Sequence, residues 1–160
     1  MRHSILTGAT NPILRTQADP ITDFGDDLLK LALDMKLVCH QYDWVGLAAP
    51  QIGIPLRVIY TTQRKKTPKW LKYITDQIMI NPTLILDSGT TNSDIEWCLS
   101  LPGIEGKVRR FDRVKVSFQD TDGKTISKIY KWFDARIIQH EIDHLDGILF
   151  IDRATSVRKT

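Results

Sequence analysis

The chain has 160 residues, 42% of them hydrophobic and 26% charged, with a formal net charge of +3. That is one ordinary folded domain, 1–160, with a sizeable core, which excludes a disordered chain. No apolar run reaches the roughly 18 residues of a membrane span, and the two cysteines, Cys39 and Cys98, are too few for a disulfide scaffold.

In chain order, Met1–Gly8 lacks the apolar core of a secretory signal. The expectation is a cytoplasmic protein in a reducing compartment, with no membrane partner and no specific nucleic acid, since +3 is too mild to argue for one. From Asp23 to His40 the residues Phe24, Leu28, Leu31, Met35 and Val38 recur at helical spacing. This predicts one early amphipathic helix, with Thr22 or Asp23 placed to cap it. Trp44–Gly53 is apolar and rich in small residues, and reads as a tight turn running into an extended segment. Leu56–Thr62 reads as a strand, Arg64–Lys69 as an exposed basic loop, and Met79–Leu86 as a second strand with Asn81-Pro82 at a bulge or edge. Val108–Gln119 and Thr125–Phe133 are β-rich, and Asp122-Gly123 between them is a hairpin signal. Asp134 then reads as the cap of a helix over Ala135–Asp146, with Gly147 as its stop. A strand-rich body carrying one early and one late helix is α+β, not alternating βαβ.

The late helix carries His140-Glu141-Ile142-Asp143-His144. Histidines four apart lie one turn apart on one helical face, so both imidazoles can reach one metal ion. Glu141 follows the first, where its carboxylate can act as a base without being a ligand. A catalytic site of this kind commonly takes a third protein ligand. An H-E-x-x-H-x-x-G-x-x-H arrangement fails here, because Gly147 fits but Phe150 stands at the last position. No glutamate follows Glu141. Asp152 is a weak candidate, and the upstream candidates are His3, Cys39, His40 and Cys98. Cys98 is the favourite, because it sits between a strand region and the Pro102-Gly103 turn, on a pinned loop. Cys39 suits a buried hydrophobe better, and His40 a helix-end cation.

Three segments together resemble the peptide deformylase family. Gly46-Leu47-Ala48-Ala49-Pro50-Gln51 looks like its G-x-G-L-A-A-x-Q motif, Glu96-Trp97-Cys98-Leu99-Ser100 like E-G-C-L-S, and Gln139–Gly147 like Q-H-E-x-D-H-L-x-G. Order and spacing match from about Ile5 to Asp152. The resemblance implies antiparallel sheets packed around a C-terminal metal-binding helix. It implies Cys98, His140 and His144 as ligands of one divalent ion, Fe(II) in the cell with zinc, nickel or cobalt as substitutes. The implied activity removes the formyl group from N-formylmethionyl peptides, releasing formate. Glu141 would be the general base, and the Gln51 amide with the Leu99 N–H would stabilise charge on the formyl oxygen. Backbone near Val45 and Gly46 would pair with an extended peptide. A monomer is expected. The ribosome is a candidate partner: relatives dock there with a long C-terminal helix, whereas only Arg153–Thr160 remains here, which leaves the basic Arg64–Lys72 stretch as the other contact.

The chain departs from the family pattern at three positions. Trp44 and Trp97 replace the first glycine of one motif and the glycine of another, and Glu105 stands where many relatives carry arginine. Tryptophan would be strained if either position needed positive φ. The rings then either cover the cleft edge or alter substrate choice. The second alternative admits a same-fold hydrolase with another N-acyl or amide substrate, or a weakly active peptide-binding homologue. Trp70 and Trp132 read as packing residues.

Overall fold

The computed structural model describes residues 4–64, 74–86 and 89–160. Helix α1 spans Asp26–Gln41, followed by β1 (Gly46–Ala48), a 3-10 turn (Ala49–Ile52) and β2 (Val58–Arg64). Then come β3 (Ile74–Leu86), β4 (Thr91–Trp97), β5 (Ile104–Phe111), β6 (Arg113–Gln119) and β7 (Thr125–Lys131). Helix α2 spans Trp132–Leu145, a short α3 covers Phe150–Arg153, and β8 runs over Ala154–Lys159. Strands β1-β2-β3-β6-β7 form one antiparallel sheet and β4-β5-β8 a second. The α+β expectation therefore holds.

Helix α1 buries Leu28, Leu31, Met35 and Val38, the stripe its periodicity predicted. They pack on Leu47, Val58, Tyr60 and Ile80 of the five-stranded sheet. The helix starts later than the spacing suggested. Gly25 is its N-cap with no side-chain cap bond, so neither Thr22 nor Asp23 caps it, and Phe24 lies before the first turn. The segment after Trp44 also differs from expectation: the extended piece, β1, comes first and the tight 3-10 turn follows, with Pro50 as its second residue.

Asn81-Pro82 does mark a bulge, since the β3–β6 register shifts between Ile80 and Thr83. β3 is nevertheless an interior strand. The β-rich stretch up to Gln119 divides at Asp112 into β5 and β6, which belong to different sheets. The Asp122-Gly123 hairpin joins β6 to β7. The basic stretch Lys65–Lys72, including Trp70, lies outside the described residues.

Helix α2 begins at Trp132, with Lys131 as N-cap, so Asp134 sits inside the first turn rather than capping it. There it still favours the positive end of the helix dipole. Ala135, Ile138, Ile142 and Leu145 face the five-stranded sheet and pack with Ile59, Met79, Val114, Val116 and Phe118. The opposite side, Arg136, His140 and Asp143, bonds to β4 and β5 of the other sheet. The helix is thus enclosed on both sides, and every residue from Ala135 to Leu145 is buried. Gly147 ends it with φ 71°, against the backbone of Arg15. Trp132, expected to pack, is instead 68% exposed. No helix among the described residues is long and apolar enough to cross a membrane.

Candidate active site

The ligand atoms of Cys98, His140 and His144 lie within 4.8 Å of one another. Helix α2 supplies both imidazoles from one face. The turn that follows β4 supplies the sulfur, and the Ser100 N–H donates to it at 3.4 Å. Cys98 Sγ lies 3.2 Å from His144 Nε2. Burial opposes ionisation of this thiol, but the charges and hydrogen bonds of His144 and His140 outweigh it and push the thiol well below its ordinary range.

The second ring nitrogen of His140 is held from behind. Its Nδ1 meets Glu96 Oε2 at 2.9 Å, which turns Nε2 toward the sulfur. Glu96 in turn accepts from Arg110 at 2.9 Å through both carboxylate oxygens, and from Arg136 at 2.7 Å. Arg110 continues to Asp143 at 2.5 Å, which also accepts from Arg153. Burial would raise the Glu96 carboxyl, yet His140 and Arg110 hold it well below the carboxylate range. Sequence reasoning gave Glu96, Arg110, Arg136 and Asp143 no role. The charged types at mostly internal positions were the available signal, but which of Arg109 and Arg110 turns inward is decided only by the sheet.

Glu141 stands beside the three groups and is 3% exposed. Its Oε2 and the Nδ1 of His144 are buried without a hydrogen-bond partner among the described residues. Burial lifts the Glu141 carboxyl to about 7, against the lowering charges of His140 and His144. A carboxyl at that value exchanges protons readily near neutral pH. Gly46 of β1 lets Glu141 come this close: a Cβ there would sit 2.5 Å from Glu141 Oε1 and 2.8 Å from Ile137 Cγ2.

Gln51 is fixed by both ends of its amide. Its Oε1 accepts from Ala48 N–H at 2.9 Å, so Nε2 must face the other way, toward Ser100 Oγ at 3.2 Å and Cys98 Sγ at 3.5 Å. Leu99 is half-buried in the turn after Cys98. The other ligand candidates lie apart from the cluster or outside the description. His3 is not among the described residues. Cys39 is fully buried and bonds the Trp44 carbonyl, while His40 meets Tyr60 Oη at 2.9 Å. Asp152 pairs with Arg15 and accepts from Leu149 N–H.

A cleft of about 250 Å³ opens beside Glu141 and His140, walled by Trp44, Val45, Ile95, Trp97, Phe133 and Ile137. The Val45 carbonyl is taken by Thr62 N–H at 2.9 Å. Gly46 lies on β1, an outer strand of its sheet, as β4 is of the other. Among the described residues, positive φ at a non-glycine falls at Asp43, Asn81 and Trp132. Trp44 and Trp97 are therefore accommodated without the strain their motif positions suggested.

A buried thiolate with two imidazoles and an adjacent carboxylate is a hydrolytic metal set. The polypeptide deformylase family model matches residues 4–160. The chain belongs to the polypeptide deformylase family. The deformylase is 38% identical over 149 residues to the peptide deformylase of Desulforudis audaxviator, covering 93% of this chain and 92% of the relative. It is 40% identical over 144 residues to that of Dictyoglomus thermophilum, covering 90% and 88%. Among solved structures, the peptide deformylase of Thermotoga maritima superposes with a TM-score of 0.87 at 34% identity, covering 98% and 99% of the two chains. A Met-Ala-Ser-bound enzyme from Acinetobacter baumannii gives 0.86 at 31%, covering 96% and 98%. The protein is a metal-dependent enzyme that removes the N-formyl group from new peptides. The readings with another acyl substrate, or with peptide binding alone, are not favoured by these relatives.

Proposed function

We propose that residues 1–160 act as one deformylase domain in which Cys98, His140 and His144 hold a single divalent ion. The observation that carries this is the buried convergence of one sulfur and two imidazoles within 4.8 Å, next to a carboxylate oxygen of Glu141 that has no partner among the described residues. That donor set fits a divalent transition ion, and Fe(II) is the ion proposed for the cell, with zinc, nickel or cobalt as replacements. Bound there, the ion supplies Lewis acidity and brings the pKa of water toward neutrality.

The chain's own residues do the rest. Glu141 takes a proton from the attacking water. The water oxygen bonds to the formyl carbon, the carbon–nitrogen bond then breaks, and the same proton passes from Glu141 to the departing amine. Formate and a free N-terminus result. The Gln51 Nε2–H and the Leu99 backbone N–H are the donors proposed for the formyl oxygen as it gains charge. Val45, Gly46 and Trp97 are proposed to contact the peptide, with the methionine side chain in the apolar cleft. The working form is taken to be a cytoplasmic monomer acting on chains leaving the ribosome.

Formate release from formyl-Met-Ala-Ser by anaerobically purified, iron-loaded protein tests the reading. The corresponding deformylated tripeptide is bound in the Acinetobacter enzyme. Turnover with iron, and its loss on chelation, is expected. Absence of formate with every one of the four metals would overturn it.

A further inference from the structure

Trp97 is an unusual wall for a cleft. It is 52% exposed, yet its indole is not free to swing. Its Nε1–H donates to Glu105 Oε2 at 2.9 Å, and Glu105 Oε1 accepts from Arg158 Nε. The three residues are successive cross-strand partners: Trp97 faces Glu105 across β4–β5, and Glu105 faces Arg158 across β5–β8. Directly paired residues share a sheet face, so the row is a strut running from the last strand to the rim of the cleft. Glu105 is only 5% exposed, and burying a carboxylate is costly unless it is paired. That buried acid holds in place a ring which itself hides less than half of its surface. Core stability alone gives no reason for such an arrangement, whereas a fixed apolar platform for a ligand does: a ring already held in place loses little freedom when something binds to it.

The geometry points to a specificity-determining role for Trp97, with Glu105 and Arg158 as its positioning residues, in choosing peptides by the third residue of the chain. The inference rests on the deformylase activity. Ile95 and Trp97 alternate onto one face of β4 and both line the cleft. An extended peptide entering between the outer strands β1 and β4 puts its first side chain into the cleft. Its second side chain points away, and its third returns to the first one's side. There it meets the uncovered surface of Trp97 and of Phe133, which is 59% exposed and also lines the cleft. The favoured class is therefore formylated peptides with a large apolar or aromatic third residue.

The test compares formyl-Met-Ala-Ser, formyl-Met-Ala-Phe and formyl-Met-Phe-Ser on the metal-loaded enzyme. Wild-type kcat/KM is expected to favour formyl-Met-Ala-Phe over formyl-Met-Ala-Ser by roughly tenfold, the scale of a good aromatic contact. The gain should reside in KM, and formyl-Met-Phe-Ser should stay within about twofold of formyl-Met-Ala-Ser on the same reasoning. In Trp97→Ala the tenfold ratio should shrink to within about twofold, whatever happens to the absolute rates. Glu105→Leu should shrink it too, whereas Glu105→Gln keeps an acceptor for the indole N–H and should preserve most of it. If Glu105→Leu does not fold, the Trp97→Ala and Glu105→Gln pair decides. Equal wild-type rates on the two Ala peptides, a preference set by the second residue, or a ratio that survives Trp97→Ala would each overturn the proposal. Loss of formate release from all three peptides would instead overturn the deformylase activity beneath it.

Discussion

Glu141 and Cys98 separate catalysis from metal retention within one site. Glu141 is not among the residues that supply the three converging ligand atoms, and one of its oxygens has no partner among the described residues. Glu141→Ala should therefore keep about one metal per chain by elemental analysis, while turnover falls by at least about 10²-fold, the usual worth of a positioned base. Near-normal turnover would remove Glu141 from the mechanism. Cys98→Ser replaces a soft, ionised donor by a hydroxyl that stays protonated, and metal content should fall markedly. Asp152→Asn should leave it unchanged, because Asp152 is spent on Arg15 and Leu149. The opposite ranking in the two variants would exchange their roles.

At the scale of elements, the site depends on how closely β1 meets α2. Gly46 has no Cβ to strike Glu141 and Ile137, and this contact is a property of the pair rather than of either element alone. Gly46→Ala must push the carboxylate or the helix aside. We expect a loss of about 1–3 kcal/mol in thermal or denaturant unfolding, typical of overpacking. A drop in kcat larger than that in metal content should accompany it. An unchanged kcat would mean that the Glu141 position is not critical. The enclosure of α2 between two sheets explains its composition as well. One stripe, Ala135, Ile138, Ile142 and Leu145, is apolar, and the other, Arg136, His140 and Asp143, is polar yet buried.

For the molecule as a whole, Glu96 is a main fastening of α2 to the three-stranded sheet. It ties β5 through Arg110 and α2 through Arg136 and His140, and its carboxylate form is strongly favoured once folded. A carboxyl depressed in the folded state stabilises above its unfolded value, about 4.3, and that stability is lost as pH falls through this value toward the folded one. Metal-free wild type should therefore show a midpoint of thermal unfolding that drops steeply below about pH 4.3. Glu96→Gln should be less stable than wild type at pH 7 and converge with it in acid. Parallel curves for the two proteins would show that Glu96 is not the titrating fastening.

Local order was readable where it rests on near neighbours along the chain. The stripe of α1, the Asp122-Gly123 hairpin, the bulge at Asn81-Pro82 and the pairing of His140 with His144 all depend on residues within a few positions of one another. By itself, the order of residue types also determined the α+β class, the candidate base Glu141 and a short field of third ligands. The tertiary structure decided which member of that field comes near, because Cys98 is far from the helix in sequence and reaches it only when β4 lies against α2. It decided, too, that Gly25 rather than Thr22 or Asp23 begins α1, that Asp112 divides two strands between two sheets, and that Trp132 faces water. The Glu96–Arg110–Asp143 chain and the Trp97–Glu105–Arg158 row belong to the same class. They join residues on separate elements, and burial makes their charges cooperate only after those elements have packed.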